Sequence, residues 1–234
     1  MKRIDLMGPS GVGKSYLTNL MKNSSIRKAK IKHVLKNPKN VMATKSIHKY
    51  FENISTRKYR DNKEEYREFL KVCRNGLRHY PIGDLQFFHS IDKVQTVLKE
   101  IELMRQLTDD KIIMNHSLSQ KVFFVIPPRY YEDYELVQDY FKQMPKPNGV
   151  IILSAPLEIL VRRIKRRYSK EKTLGSEHQG LNNKELEEVL ERSLMWNKIA
   201  SLELENRGIS VLEINTSLSD EVNLSEINKF INDI

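Results

Sequence analysis

The sequence predicts an α/β fold of three layers, in which helices cover both faces of a five-stranded parallel sheet. Short apolar runs alternate with longer helical patterns along the 234 residues, as in sheets whose parallel strands are joined by helices. Residues 8–15 follow the first apolar run directly and read Gly-Pro-Ser-Gly-Val-Gly-Lys-Ser. This length and a hydrophobic content of 39% suit a single domain, which we assign to residues 1–234.

Residues 1–84 hold two predicted strands and two predicted helices. Strand one runs from Arg3 to Met7, and the helix after the glycine-rich segment runs from about Lys14 to Lys22. A second strand is expected at Ile31–Leu35 or at Asn40–Thr44, within a basic stretch. Residues 61–74 carry apolar side chains at helical spacing and predict a helix.

Residues 85–234 supply three further strands. Leu85 to Leu107 is the clearest helix, because its apolar residues keep three- and four-residue spacing. The strands are predicted at Lys111–Met114, Gly149–Leu153 and Ile209–Ile214. A long helix from about Asn183 to Asn206 precedes the last strand, and Ser219-Asp220-Glu221 opens a final helix whose acidic start suits the helix dipole.

The charge balance favours an anionic partner. Forty Lys and Arg against thirty Asp and Glu give a net charge of +10, which several phosphates in one cleft would satisfy. Nucleic acid or an anionic membrane surface would also satisfy it. No apolar run approaches the ~20 residues of a membrane span, no secretory leader is recognisable, and the single Cys73 cannot form an internal disulfide. We therefore expect a cytoplasmic protein, and a homodimer is compatible with the sequence.

The segment at residues 8–15 matches GxxxxGK[ST], the phosphate-binding loop or P-loop. Its glycines let successive backbone N–H groups point into one concavity at a helix N-terminus, where an anion binds. Lys14 would reach the β- and γ-phosphates of ATP, and the Ser15 hydroxyl would ligate Mg²⁺. The residues expected to hold the nucleotide here are Gly8, Pro9, Ser10, Gly11, Val12, Gly13, Lys14, Ser15 and Tyr16.

Ligands of open parallel sheets gather at the carboxyl ends of the strands. Three polar segments are predicted to meet the P-loop there: Asn115-His116-Ser117, Ser154-Ala155-Pro156 and Asn215-Thr216-Ser217. A three-layer P-loop NTPase fold follows from this arrangement.

A dense basic cluster occupies residues 162–167, with five cations in six residues. With Lys14, Arg163 and Arg167 are the expected catalytic residues, because charge develops on a phosphoryl group in transfer and a planar guanidinium matches it. The alternatives are a solvated basic face and a nucleic-acid patch. Residues 168–182 contain Gly175 and Gly180 and are expected to form a small lid that excludes water.

Together these residues resemble the nucleoside and nucleotide kinases, with thymidylate kinases and deoxynucleoside kinases as the nearest pattern. Asn115, His116 and Ser119 match the family's Asp-Arg or Glu-Arg pair and the Ser beyond it. Residues 163–167 match its Arg-Ile-x-x-Arg pattern. The resemblance covers most of the chain, although the P-loop is its one specific motif.

The same resemblance implies further site residues. Asn215 and its neighbours match the loop that holds adenine. The helix with Phe88 resembles the substrate-side helix, with Lys93 where an Arg is usual, so Phe88, Lys93, Asn115 and His116 are the expected acceptor residues. Asn115 brings no charge to the metal, and no acidic residue is recognisable at the end of strand two, so the catalytic base stays open.

The favoured function is ATP- and Mg²⁺-dependent phosphoryl transfer to a nucleoside, a nucleoside monophosphate or a sugar hydroxyl. One rival is a P-loop NTPase that binds nucleic acid or a protein and acts as a switch; another is a nucleotide-binding pseudo-kinase. A third is a guanylate-kinase-like enzyme, because the P-loop has that family's wording and Thr56 to Arg60 followed by Tyr66 is similar to its phosphate-gripping residues.

Overall fold

A four-stranded parallel sheet forms the centre of the computed structural model, which describes residues 1–23, 53–78, 84–107, 109–130, 132–171 and 178–234. The strands are β1 (Lys2–Met7), β2 (Lys111–Met114), β3 (Gly149–Ser154) and β4 (Ser210–Asn215), in the spatial order β2-β1-β3-β4. Every neighbouring pair is parallel. The carboxyl ends of all four strands therefore lie along one edge.

Helices join the strands and cover both faces of the sheet. The described helices are α1 (Lys14–Asn23), α2 (53–61), α3 (Arg67–Arg78), α4 (Asp84–Leu107), α5 (Leu118–Val125), α6 (Tyr134–Gln143), α7 (Leu157–Glu171), α8 (Asn183–Asn206) and α9 (Asp220–Asp233). A capping box fixes the start of α8, since the Asn182 side chain accepts from the Glu185 N–H and the Glu185 side chain accepts from the Asn182 N–H.

The prediction of five strands is wrong for the described part of the chain, where the sheet has four. The additional strand was expected at 31–35 or at 40–44, and both segments lie outside the described residues. Those two apolar runs are short and interspersed with Lys, His or Asn, so their pattern was the weakest of the five. The other four predicted strands match β1 to β4 to within one residue at each end.

The predicted helix over 61–74 is also wrong in its bounds, because a turn at residues 62–66 separates α2 from α3. Tertiary contacts with α4 hold this turn: the Asn62 side chain donates to Glu102 at 2.7 Å, and the Tyr66 hydroxyl donates to the same carboxylate. The bend buries Tyr66 completely. Helical spacing alone gave no sign of these long-range bonds.

Two apolar clusters lie on opposite faces of the sheet. In β1, Met7 belongs to the cluster beneath α3 to α6, whereas Ile4 and Leu6 belong to the cluster beneath α1, α7 and α9. Burial of both faces is expected for a central parallel strand. Arg3 and Asp5 of the same strand are also buried and form an ion pair at 3.1 Å, with a Ser119 hydroxyl donating to Asp5 at 2.8 Å.

Within the described ranges, no helix is both long enough and apolar enough to cross a membrane.

Candidate phosphate-binding site

The loop between β1 and α1 adopts a backbone that only glycine tolerates at several positions. Gly8, Gly11 and Gly13 have φ angles of +155°, +78° and +98°. A Cβ on Gly8 would lie 2.6 Å from the Leu153 carbonyl oxygen, and one on Gly11 would lie 2.9 Å from Ile164 Cγ1. The loop is therefore pressed against β3 and α7, and larger residues at these two positions would displace it.

The N-terminus of α1 follows the loop directly and supplies backbone donors. The first N–H groups of a helix have no partner within it and carry the positive end of its dipole. The Leu17 N–H donates to the Gly13 carbonyl at 2.9 Å, so the helical bonds begin at the last glycine of the loop. At the other end, the Gly8 N–H donates to the Gln120 side chain of α5 at 3.0 Å. Backbone geometry of this kind suits a phosphate group.

Lys14 and Ser15, the loop side chains predicted to contact the phosphates and Mg²⁺, differ in their contacts. The half-buried Lys14 ammonium donates to the carbonyls of Gly8 and Pro9, at 2.5 Å and 3.0 Å. It thus lies over the concavity that the loop encloses. Ser15 is exposed in the first turn of α1. A lysine and the hydroxyl residue that follows it are the two side chains by which a P-loop holds a triphosphate and its Mg²⁺.

Arg163 ties the P-loop to the turn after β4. Its Nη1 donates to the Val12 carbonyl at 3.2 Å and to Thr216 Oγ1 at 2.9 Å, and its Nη2 donates to the Thr216 carbonyl at 2.8 Å. Thr216 is itself held to β3, since its N–H donates to the Ser154 carbonyl at 2.9 Å. Arg163 therefore fixes the separation of two loops at the sheet edge.

Arg167 lies one turn further along α7, on the same side as Arg163. It is half-buried and makes no hydrogen bond or ion pair with the described residues. Arg162, Lys165 and Arg166 are exposed on other sides of the helix. The basic cluster thus divides into Arg163, which bridges two loops, Arg167, which has no polar partner among the described residues, and three exposed side chains.

The residues that flank the loop on the β4 side are exposed. Asn215 ends β4, and its side-chain oxygen accepts from the Ser217 N–H at 3.0 Å and from the Ser217 hydroxyl at 2.7 Å. The Tyr16 hydroxyl donates to Asp220 at 2.6 Å, linking α1 to α9. That hydrogen bond, followed by the charge of Asp220, raises the pKa of Tyr16. These contacts place Asn215 and Tyr16 beside the P-loop without assigning a ligand to either.

The turn after β2 holds Asn115 and His116. Asn115 is half-buried and His116 is exposed. Ser117 caps α5: its hydroxyl accepts from the Gln120 N–H at 3.3 Å and donates to the Leu6 carbonyl at the same distance. Ser119 instead lies in the core, where its hydroxyl donates to Asp5. Of the two serine hydroxyls in this segment, that of Ser117 therefore lies nearer to the end of β2.

Phe88 and Lys93, two of the residues predicted to contact the acceptor, have different surroundings in the structure. Phe88 is 68% exposed and makes an edge contact with Phe87. Lys93 is half-buried, and its Nζ lies 4.5 Å from the ring centroid of Phe124 in α5. The Lys121 Nζ lies 5.9 Å from the same centroid. Phe88 and Lys93 therefore occupy different environments on one helix.

Two residues near the site escaped the sequence analysis. Gln120 accepts from the P-loop backbone, and Lys121 approaches the same ring as Lys93. The spacing Ser117-x-x-Gln120 is a helix-capping signal that could have placed Gln120 near the sheet edge. The position of Lys121 depends on a side-chain direction that no local pattern reports. No cluster of three or more potential metal ligands occurs among the described residues.

Two further expectations concern the lid and the place of Tyr66. Of the expected lid, 168–171 continue α7 and 172–177 lie outside the described residues, so the lid stays a prediction. Tyr66 is completely buried, and its hydroxyl donates a hydrogen bond to the Glu102 carboxylate. Burial and this hydrogen bond raise its pKa. It therefore cannot reach a ligand phosphate, which removes one of the residues that carried the guanylate-kinase resemblance.

No protein-family model matches the sequence, and no curated protein sequence matches it significantly. Among solved structures, the chain is similar to deoxyadenosine kinase from M. mycoides. The structure with products dCMP and a flexible dCDP has 15% identity and a TM-score of 0.48. Those with bound dATP and dCTP have 16% and 15% identity and TM-scores of 0.46 and 0.47. Each match covers 99% of this chain and 100% of the other.

Proposed function

We propose that this protein is a small-molecule kinase that transfers the γ-phosphoryl group of ATP to a nucleoside, a nucleoside monophosphate or a sugar. The observation that carries the proposal is the P-loop conformation, with three glycines at positive φ and the Lys14 ammonium over the loop. In this reaction the acceptor oxygen bonds to the γ-phosphorus, the bond to the oxygen of ADP breaks, and the acceptor proton passes to solvent or to a base not yet assigned.

Different groups of the P-loop would bind the phosphates of ATP and the metal ion. The backbone N–H groups and Lys14 hold the β- and γ-phosphates, and the ammonium can exchange its carbonyl partners for phosphate oxygens. Ser15 supplies the hydroxyl that would hold Mg²⁺, which neutralises phosphate charge when bound. Asn115 lies at the same sheet edge, and its amide oxygen could orient a water on the metal. This set fits a triphosphate with a hydrated cation.

We assign different roles to the two predicted catalytic arginines. Because Arg163 donates its hydrogen bonds to Val12 and Thr216, we assign it the role of positioning the P-loop against the 215–217 turn. Arg167 lies on the same side of α7, forms no hydrogen bond with the described residues, and is the better candidate to stabilise charge on the transferring group. His116 and Asn115 remain acceptor-side candidates through their place at the strand end.

The test is acceptor-dependent release of ADP, screened over nucleosides, nucleoside monophosphates and sugars. Lys14→Ala should lower kcat/KM by about 100-fold or more, the scale of losing one preorganised phosphate donor. Lys198→Ala, which removes an exposed lysine of α8, is the matched control. Full activity of Lys14→Ala would overturn the proposal. ATP turnover stimulated by polynucleotide and by no small acceptor would replace it with the switch function, and nucleotide binding without any turnover would replace it with the pseudo-kinase.

A further inference from the structure

Two side chains from the start of α5 bind the backbone at the junction of β1 and the P-loop. The Ser117 hydroxyl, which caps this helix, donates to the Leu6 carbonyl at 3.3 Å. The half-buried Gln120 side chain accepts from the Gly8 N–H at 3.0 Å. These two backbone groups belong to the residues on either side of Met7, which ends β1. Helix α5 therefore holds the chain at the point where the strand passes into the loop.

On the side of β3, Gly8 lies against a carbonyl that is itself held in place. The pairing of β1 with β3 ends at Met7 and Ile152, so Leu153 lies one residue beyond the last pair. The buried Asn197 side chain of α8 donates to the Leu153 carbonyl at 3.0 Å. A Cβ on Gly8 would lie 2.6 Å from this carbonyl oxygen. Because glycine has no Cβ, Gly8 fits against the carbonyl with little space to spare.

The hydrogen bond from Gly8 to Gln120 restrains a residue that has little conformational preference of its own. Gly8 has a φ of +155°, and a glycine reaches many other backbone conformations as readily. A contact from outside the loop is therefore needed to select one of them. The direction in which the chain leaves Gly8 affects all later N–H groups of the loop, and these must converge on one anion. Loss of the Gln120 bond should therefore disturb donors that Gln120 does not contact.

We propose that Gln120 is a positioning residue of the nucleotide site, whose hydrogen bond to the Gly8 N–H fixes the course of the P-loop and so aligns the loop donors with the phosphates of ATP. This inference rests on the proposed function for its ligand, ATP. Gln120 acts through the backbone and contacts no phosphate itself. An amide suits this role, because its oxygen accepts from the N–H without adding a negative charge beside a triphosphate.

The first test measures ATP affinity by calorimetry and needs no turnover. Gln120→Met keeps much of the side-chain length but has no oxygen to accept from the Gly8 N–H. It should weaken ATP binding about tenfold, the scale of one hydrogen bond left unmade. Gln143→Met makes the same chemical change at an exposed glutamine that ends α6, and it should leave the affinity unchanged. Unchanged ATP affinity in Gln120→Met overturns the inference.

The second test follows the Gly8 amide itself, by hydrogen exchange in the NMR spectrum of isotope-labelled protein without nucleotide. In Gln120→Met this amide should exchange about tenfold faster or more. The Leu17 amide, which donates to Gly13 at the other end of the loop, should keep its rate, which a general loss of structure would not allow. Gln120→Glu retains an acceptor oxygen and should restore slow exchange at Gly8.

The two tests distinguish this inference from the kinase proposal. Equal exchange of the Gly8 amide in the wild type and in Gln120→Met overturns the positioning role of Gln120, whatever the kinase assay shows. ATP binding that weakens in Gln120→Met, without transfer to any small acceptor, overturns the kinase proposal and supports the positioning role.

Discussion

The donor and acceptor sides of the candidate site are built in different ways. On the donor side, backbone groups form the cavity, and Arg163 ties the P-loop to the turn after β4 through three hydrogen bonds. On the predicted acceptor side, Lys93 of α4 lies over the ring of Phe124 in α5, which Lys121 also approaches. The donor side therefore depends on the course of the backbone, whereas the arrangement of these side chains depends on how two helices pack.

The largest effect on ATP affinity is expected from a change in the backbone of the P-loop. Gly8→Ala would place a Cβ 2.6 Å from the Leu153 carbonyl oxygen, at a φ of +155°, so the P-loop must move. We expect ATP affinity to fall by about 100-fold or more, because several loop donors lose their alignment together. Isothermal titration with ATP measures the change.

Gly208→Ala is the matched control for that substitution. Gly208 also has a positive φ, of +70°, but no atom lies within 4 Å of its added Cβ. It should lower stability by about 1 kcal/mol through backbone strain alone and leave ATP affinity unchanged. Equal ATP affinity of the two variants would show that the donor cavity is not the rigid element described here.

A smaller effect is expected from cutting the bridge between the loops. Arg163→Met keeps much of the side-chain volume but removes the bonds to Val12 and Thr216. ATP affinity should fall about 10- to 100-fold, the scale of one or two hydrogen bonds from a charged group. Arg162→Met, which removes an exposed arginine from the adjacent position, is the control. If both variants bind ATP like the wild type, Arg163 has no positioning role.

The donor side could be predicted from the sequence to a much greater extent than the acceptor side. GxxxxGK[ST] is a contiguous pattern whose glycines impose one backbone course, and the structure gives those glycines the positive φ angles that the motif needs. The four described strands followed from apolar runs. Lys121 and Phe124 gave no signal, because their meeting with Lys93 depends on how α4 packs on α5. Tertiary packing likewise decided the bend at residues 62–66.

The smallest expected effect concerns the neutral residue at the end of β2. An amide at Asn115 can accept a hydrogen bond from a metal-bound water, but it adds no negative charge beside the proposed Mg²⁺ ligand Ser15. Asn115→Asp should therefore lower the Mg²⁺ concentration needed for half-maximal ADP release by a few-fold, since one added carboxylate near a divalent cation is partly screened at an accessible edge. Asn206→Asp, at the far end of α8, adds the same charge away from the site. If the two variants shift the Mg²⁺ requirement equally, net charge is responsible and the end of β2 lies away from the metal. A shift confined to Asn115→Asp would show that Asn115 lies near the metal, on the donor side of the site.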